Sequence, residues 1–166
     1  MEKKFQKLLK KNEIQNIFIV GAVDIDDEIS FIPDLRYLYF MFDTFYILFK
    51  SVEQYSKLSF AIVDSIQYDY YVDEDMLKAK TSISDIVLDN SGAIGNDIRK
   101  IALYDFDNTN NICSAAELFL SNGQIIFIDP SFLFGINIGG TRQKKIWKDN
   151  YINGYEPTTS IINILQ

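Results

Sequence analysis

The chain has 166 residues, 48% of them apolar and 14% aromatic, with a formal charge of −7, no histidine and a single cysteine. That length and apolar content suit one domain, 1–166, with a sizeable core, and the charge argues against nucleic acid and anionic membranes, whose phosphates would repel it. Without histidine the commonest general base and the His-dependent triads and zinc sites are gone, and the lone Cys113 leaves no internal disulfide and suits a reducing compartment.

Residues 2–12 place Phe5, Leu8 and Leu9 at helical spacing among lysines, which predicts a short amphipathic helix. The segment lacks the unbroken apolar run and small-residue cleavage site of a signal peptide. No apolar stretch reaches the roughly 20 residues of a membrane helix before a charge interrupts it. A cytoplasmic protein is expected. IQNIFIVGAV (14–23) is a β-branched run and predicts a buried strand. DIDDE (24–28) interrupts it as a turn, EISFI resumes the pattern, and Pro33-Asp34 predicts a further turn. LRYLYFMFD (35–43) and FYILFKSVE (45–53) predict a hairpin turning at Asp43 and Thr44. Strands so apolar on both faces belong in the middle of a covered sheet, with their aromatics forming core rather than a ligand pocket.

LSFAIVDSIQYDYYVDED (58–75) predicts one long strand. Parity divides it: Ile62, Asp64, Ile66, Tyr68, Tyr70 and Val72 make a mostly core-like face, while Ser65, Gln67, Asp69, Tyr71 and Asp73 make a polar one. Glu74 and Asp75 carry the charge into a loop. Between 76 and 100 the pattern leaves helix and strand open, with loops at Asn90-Ser91-Gly92 and Gly95-Asn96-Asp97. IRKIALYDF (98–106) predicts a strand. NICSAAELFL (111–120) and QIIFID (124–129) predict a hairpin, with both residues of Asn122-Gly123 at positive φ and Pro130 ending the second strand. FLFGINIGG (132–140) predicts a strand with Gly135 at a bend or bulge. TRQKKIWKDNY (141–151) is a basic polar segment, and the tail is loop followed by the short apolar SIINIL. The sum predicts an α+β fold: a twisted antiparallel sheet of hairpins, an N-terminal helix and one or two further short helices.

The charge is unevenly distributed. Residues 1–12 carry five lysines against one acid, residues 13–97 carry 16 acids against 5 bases, and residues 98–166 carry six of each. Acids invite a metal reading, which the spacing resists. In DIDDE only Asp24, Asp26 and Glu28 share a face of an extended strand. DFDNTNNICSAAE begins like a calcium loop at Asp105 and Asp107, then places Asn110 where glycine is needed and Ala116 where a bidentate glutamate is needed. GINIGG (135–140) lacks the dinucleotide spacing and a surrounding strand-to-helix unit. Cys113 has no histidine partner and reads as a small core residue. No enzyme activity, metal or other cofactor is expected.

What remains is a surface for protein recognition. Tyrosine supplies contact area at low entropic cost, and carboxylates steer and pair with basic partners. The predicted partner-binding residues are Asp69, Tyr71, Asp73, Glu74 and Asp75. IVDSIQYDYYVDED and the terminal hairpin AELFLSNGQIIFIDPSFLFGINIGG, about a quarter of the chain, resemble the immunity proteins of bacterial polymorphic toxin systems, most closely those of contact-dependent growth inhibition. The resemblance implies a neutraliser that binds the C-terminal toxin domain of a larger protein, often a basic nuclease, and blocks its active site or substrate groove. A monomer or homodimer is expected. It assigns no residue a role. The alternatives are a metal-assisted enzyme built on the Asp/Glu clusters and a subunit of a permanent complex.

Overall fold

The computed structural model describes residues 2–10, 12–25, 29–89, 95–150 and 154–164. The fold is α+β, but its strands divide into two antiparallel sheets instead of one. The first contains β1 (Asn16–Asp24), β2 (Ser30–Met41), β3 (Tyr46–Val52), β4 (Lys57–Val63), β5 (Met76–Ser82) and the short β7 (Ile112–Cys113), in the order β5-β1-β2-β3-β4-β7. The second contains β6 (Ile98–Tyr104), β8 (Ala115–Leu120), β9 (Ile125–Phe132), β10 (Gly135–Gly139) and β11 (Thr159–Asn163), in the order β10-β9-β8-β6-β11. The helices are α1 (Glu2–Leu9), α2 (Ser84–Val87) and α3 (Thr141–Asn150).

Period-two alternation sorts the central strands. Leu38 and Phe40 of β2, Ile47 and Phe49 of β3, and Leu58 and Phe60 of β4 meet Ile101, Leu103, Leu118, Ile126 and Ile128 of the other sheet in one core. Phe5 and Leu9 of α1 join it, with Phe5 edge-on to Phe60 at 5.6 Å. The intervening residues Tyr37, Tyr39, Tyr46 and Leu48 lie on the opposite side of the same strands. β2 and β3 are apolar on both faces because both faces are covered. The split is chemical as well: on β2 and β3 buried Phe40 and Phe49 face the other sheet, and Tyr37, Tyr39 and Tyr46 face outward, where the Tyr39 hydroxyl finds polar partners.

The β2–β3 hairpin turns at Asp43 and Thr44, with Phe42 N–H donating to Phe45 O at 2.9 Å. Other predicted boundaries move. β2 continues through Pro33-Asp34, and the register jumps from Val20↔Asp34 to Ile19↔Leu38, so Leu35, Arg36 and Tyr37 bulge without partners on β1. Two close approaches fix this region. A Cβ on Gly21 would stand 2.1 Å from Ile32 O, and one on Gly135, whose φ is +130°, would stand 2.4 Å from Leu35 O. β9 runs past buried Pro130 to Phe132, because a register shift against β10 leaves no ladder bond for the missing N–H to make. At Ser121-Asn122-Gly123 only Gly123 has positive φ. Gly123 N–H donates to Leu120 O and Leu120 N–H to Gln124 O, so the hairpin has a three-residue loop, not the predicted two-residue turn.

Segment 141–151 contains α3, which the polar pattern did not reveal, and SIINIL contains β11. The predicted turn at DIDDE and the loop at Asn90-Ser91-Gly92 lie largely outside the described residues. Among those described, no helix is long and apolar enough to cross a membrane.

Candidate functional site

The predicted long strand stops at Val63. Residues 64–75 leave the ladder and lie as an extended segment across the outer face of the first sheet. The parity split survives this change of partner: Ile66, Tyr68 and Val72 are half-buried and Tyr70 is buried, while Gln67, Asp69, Tyr71 and Asp73 are exposed. Tyr70 packs with Val20, Tyr37, Tyr39 and Leu48. Its hydroxyl donates to Gly21 O at 2.8 Å. Tyr39 reaches up from β2, with its hydroxyl donating to Gln67 O at 2.8 Å and accepting from Gln67 N–H at 3.2 Å. Lys78 Nζ donates to Tyr68 O at 2.6 Å. These bonds satisfy backbone groups of a segment that has no ladder of its own. Burial pushes the Tyr39 and Tyr70 phenols up to about 12, despite hydrogen bonds to the Gln67 and Gly21 backbone that pull the other way.

All five predicted site residues, Asp69, Tyr71, Asp73, Glu74 and Asp75, are exposed. The structure groups only some of them. Tyr71, 83% exposed, and Asp73 line one groove of about 460 Å³ together with Ile32, Asp34, Tyr55 and Phe134. Glu74 and Asp75 form the turn into β5, closed by Met76 N–H donating to Asp73 O at 3.0 Å. Asp69 is not part of the groove; its charge falls on the Tyr39 hydroxyl.

The window 58–77 holds no base, but the fold brings bases to this face from elsewhere. Arg36 and Lys50 lie 5.6 and 5.2 Å from the Tyr37 ring centre, and Lys78 lies 5.4 Å from that of Tyr70. Arg36 also binds Asp34 through Nε at 2.8 Å and Nη2 at 2.6 Å, and this hydrogen bond holds its guanidinium above the ordinary range. The face is therefore less acidic than the sequence window implies. Among the described residues, no ion pair engages Asp69, Asp73, Glu74 or Asp75.

Sequence reasoning missed the far wall of the groove. Tyr55 enters it from a turn in which Glu53, Gln54 and Tyr55 all have left-handed φ, at 49°, 57° and 65°. Each non-glycine residue held there costs on the order of 1–2 kcal/mol. The available signal was a tight connection, Glu53 to Ser56, with no Gly, Asn, Asp or Pro to relieve it. Phe134 comes from the β9–β10 turn and Arg36 from the β2 bulge, neither of which a local pattern places here.

The other candidates resolve differently. Asp105 accepts from Ser114 Oγ and from Thr158 N–H, at 3.1 and 2.9 Å, and so ties down the tail. Asp107 accepts from Thr109 N–H and Asn110 Nδ2, at 2.8 and 2.7 Å, and the Asn110 bond in particular lowers its pKa. Asp107 serves its own loop and Asp105 the tail as well. Among the described residues no group of three or more potential ligands is placed to hold a metal; Asp26, Asp27 and Glu28 lie outside them. Cys113 is buried, and burial pushes its thiol up to about 12, away from the reactive thiolate. GINIGG does enter a strand-to-helix unit, contrary to the sequence reading: β10 leads directly to α3. The groove there is also lined by Asp89, a poor neighbour for a phosphate.

Comparison of the chain with family models, with curated proteins and with solved structures finds no match.

Proposed function

We propose that this is a cytoplasmic binding protein of the immunity type, which neutralises a basic toxin domain, such as a nuclease, by docking it on the face carrying residues 64–75. The observation that carries the reading is Tyr71. It stands 83% exposed between residues whose neighbours are buried or bonded to the sheet. A large amphipathic side chain displayed from a pinned segment loses little conformational entropy on binding. Asp69, Asp73, Glu74 and Asp75 surround it with negative charge, which accelerates encounter with a basic partner and is screened over about 8 Å at physiological salt. The test is co-expression with the C-terminal domain of the protein encoded immediately upstream. Rescue of growth is expected, and it should be lost in a folded Asp69→Lys/Asp73→Lys double variant. Arrest of growth beside a folded parental chain, or rescue indifferent to the double reversal, overturns the reading.

The permanent-complex reading has an observation of its own. Ile29 is 81% exposed, Leu133 77% and Phe134 66%, and apolar side chains at such exposure mark contact surfaces when they adjoin. Sedimentation of the purified chain across a concentration series tests self-association. A dimer at all concentrations supports the permanent complex without opposing the immunity reading, and a monomer at all concentrations removes a complex with a second copy.

A further inference from the structure

On this face the protein covers some tyrosine rings with its own cations and leaves others bare. Tyr37 carries Arg36 and Lys50, and Tyr70 carries Lys78. Tyr55 and Tyr71 line the same groove, and among the described residues no cation lies over either ring. Asp73, also exposed, lines the same groove. Among the described residues the one base lining the groove, Arg36, is bound at both ends of its fork to Asp34. That pair cancels locally and leaves Asp73 as the net charge of the described lining, followed in the chain by Glu74 and Asp75.

Tyrosine rings and a carboxylate in one groove lining suit a flat cation. A guanidinium stacks on a ring while its edge donates two hydrogen bonds to one carboxylate; an ammonium offers only a point charge. We propose that the groove is an arginine subsite, in which one arginine side chain of the partner inserts between Tyr55 and Tyr71 and pairs with Asp73. The proposal rests on the reading of this face as the docking surface for a basic partner and names the contact made there. Arg36 shows the same chemistry in miniature: its guanidinium forks onto Asp34 and lies 5.6 Å from the Tyr37 ring centre. The groove lining brings the same residue types, tyrosine and carboxylate, together.

The test needs no partner protein. Backbone and aromatic NMR signals of the full chain are followed during titration with N-acetyl-arginine amide, with N-acetyl-lysine amide, and with N-acetyl-citrulline amide, the neutral isostere. Saturable shifts centred on Tyr55, Tyr71 and Asp73 are expected with arginine, weaker ones with lysine and none with citrulline. Tyr71→Ala should weaken arginine binding about two- to fivefold, the worth of an exposed cation–π contact. Asp73→Asn should weaken it further and remove the preference over citrulline. Both side chains are exposed, and unchanged melting temperatures will show that the variants are folded. Equal responses to arginine and citrulline, equal responses to arginine and lysine, or no saturable shift at the solubility limit each overturn the proposal. This outcome is independent of toxin neutralisation. An arginine site without a toxin partner would refute the functional reading alone, and growth rescue without an arginine site would refute the subsite alone.

Discussion

Each sheet has an outer face to cover, and the two are covered in opposite ways. On the second sheet α3 lies over Tyr104 and Phe127, with Trp147 buried between them at ring-centre distances of 5.2 and 5.4 Å. The sheet's acids lie beneath the helix: buried Glu117 of β8 accepts from Tyr104 Oη at 2.6 Å and from Lys144 Nζ of α3 at 2.8 Å, and buried Asp129 of β9 accepts from Gln143 Nε2 of α3 at 2.8 Å. On the first sheet a segment without regular secondary structure does the covering. It is held by tyrosine hydroxyls on backbone carbonyls and turns its acids outward. Carboxylates under the helix are consumed in holding it; those on the extended segment remain available. A covering layer need not be a regular element, and what pins it determines which charges are left facing water.

Trp147→Ala should break the helical side of this contrast most severely. Removing a buried indole costs about 3–5 kcal/mol, seen as an early denaturant midpoint, while amide exchange at residues 66–73 should change only as far as global stability does. Glu117→Ala leaves Lys144 and Tyr104 without their shared acceptor and should cost about 1–3 kcal/mol. Parental stability in that variant would mean that the bonds to Glu117 do not help to hold α3. On the other face Tyr70→Phe keeps the ring and removes one bond to Gly21 O, for about 0.5–1.5 kcal/mol. Hydrogen exchange should then quicken over residues 66–73, and α3 should be unaffected.

The same hydroxyls set a pH dependence. Tyr39 and Tyr70 have folded pKa values raised from 10.0 to about 12, and Tyr104 is raised too, first by burial and then by its bond to Glu117. A raised folded pKa means that the unfolded state loses its proton first. The stabilisation is complete below pH 10 and falls away as pH climbs through 12. Chemical denaturation at stepped alkaline pH, with tyrosinate absorbance as a second signal, checks this; stability flat across that window would contradict it. Least perturbing to the fold is the Asp69→Lys/Asp73→Lys double variant. Its stability should stay within about 0.5 kcal/mol of the parent, while association with a basic partner slows and loses its salt dependence.

These contrasts explain what the sequence made legible. α1, the β2–β3 hairpin and the β8–β9 hairpin rest on local periodicity and turn residues, and all three form. The division into two sheets is a long-range choice that no window contains. The segment 64–75 was read correctly for side-chain direction and wrongly for pairing. Both follow from one cause, since period two belongs to an extended backbone whether it joins a ladder or lies flat on a sheet. α3 escaped because ten residues with one large apolar anchor, Trp147, and basic neighbours carry almost no amphipathic signal. The opposing bases Arg36, Lys50 and Lys78 arrive from other strands, so a count along 58–77 could not register them.

The alternation along residues 66–73 has an evolutionary consequence. Inward positions 66, 68, 70 and 72 hold the segment to the sheet, and outward positions 67, 69, 71 and 73 face water. The positions that hold the segment and those that face water therefore alternate like letters of one word. Substitutions at the outward letters can accumulate with little threat to the inward ones, so the chemistry of this face can change through single mutations without first acquiring a reserve of stability. A library randomised at 67, 69, 71 and 73 should retain the fold across most members, and one randomised at 66, 68, 70 and 72 should lose it.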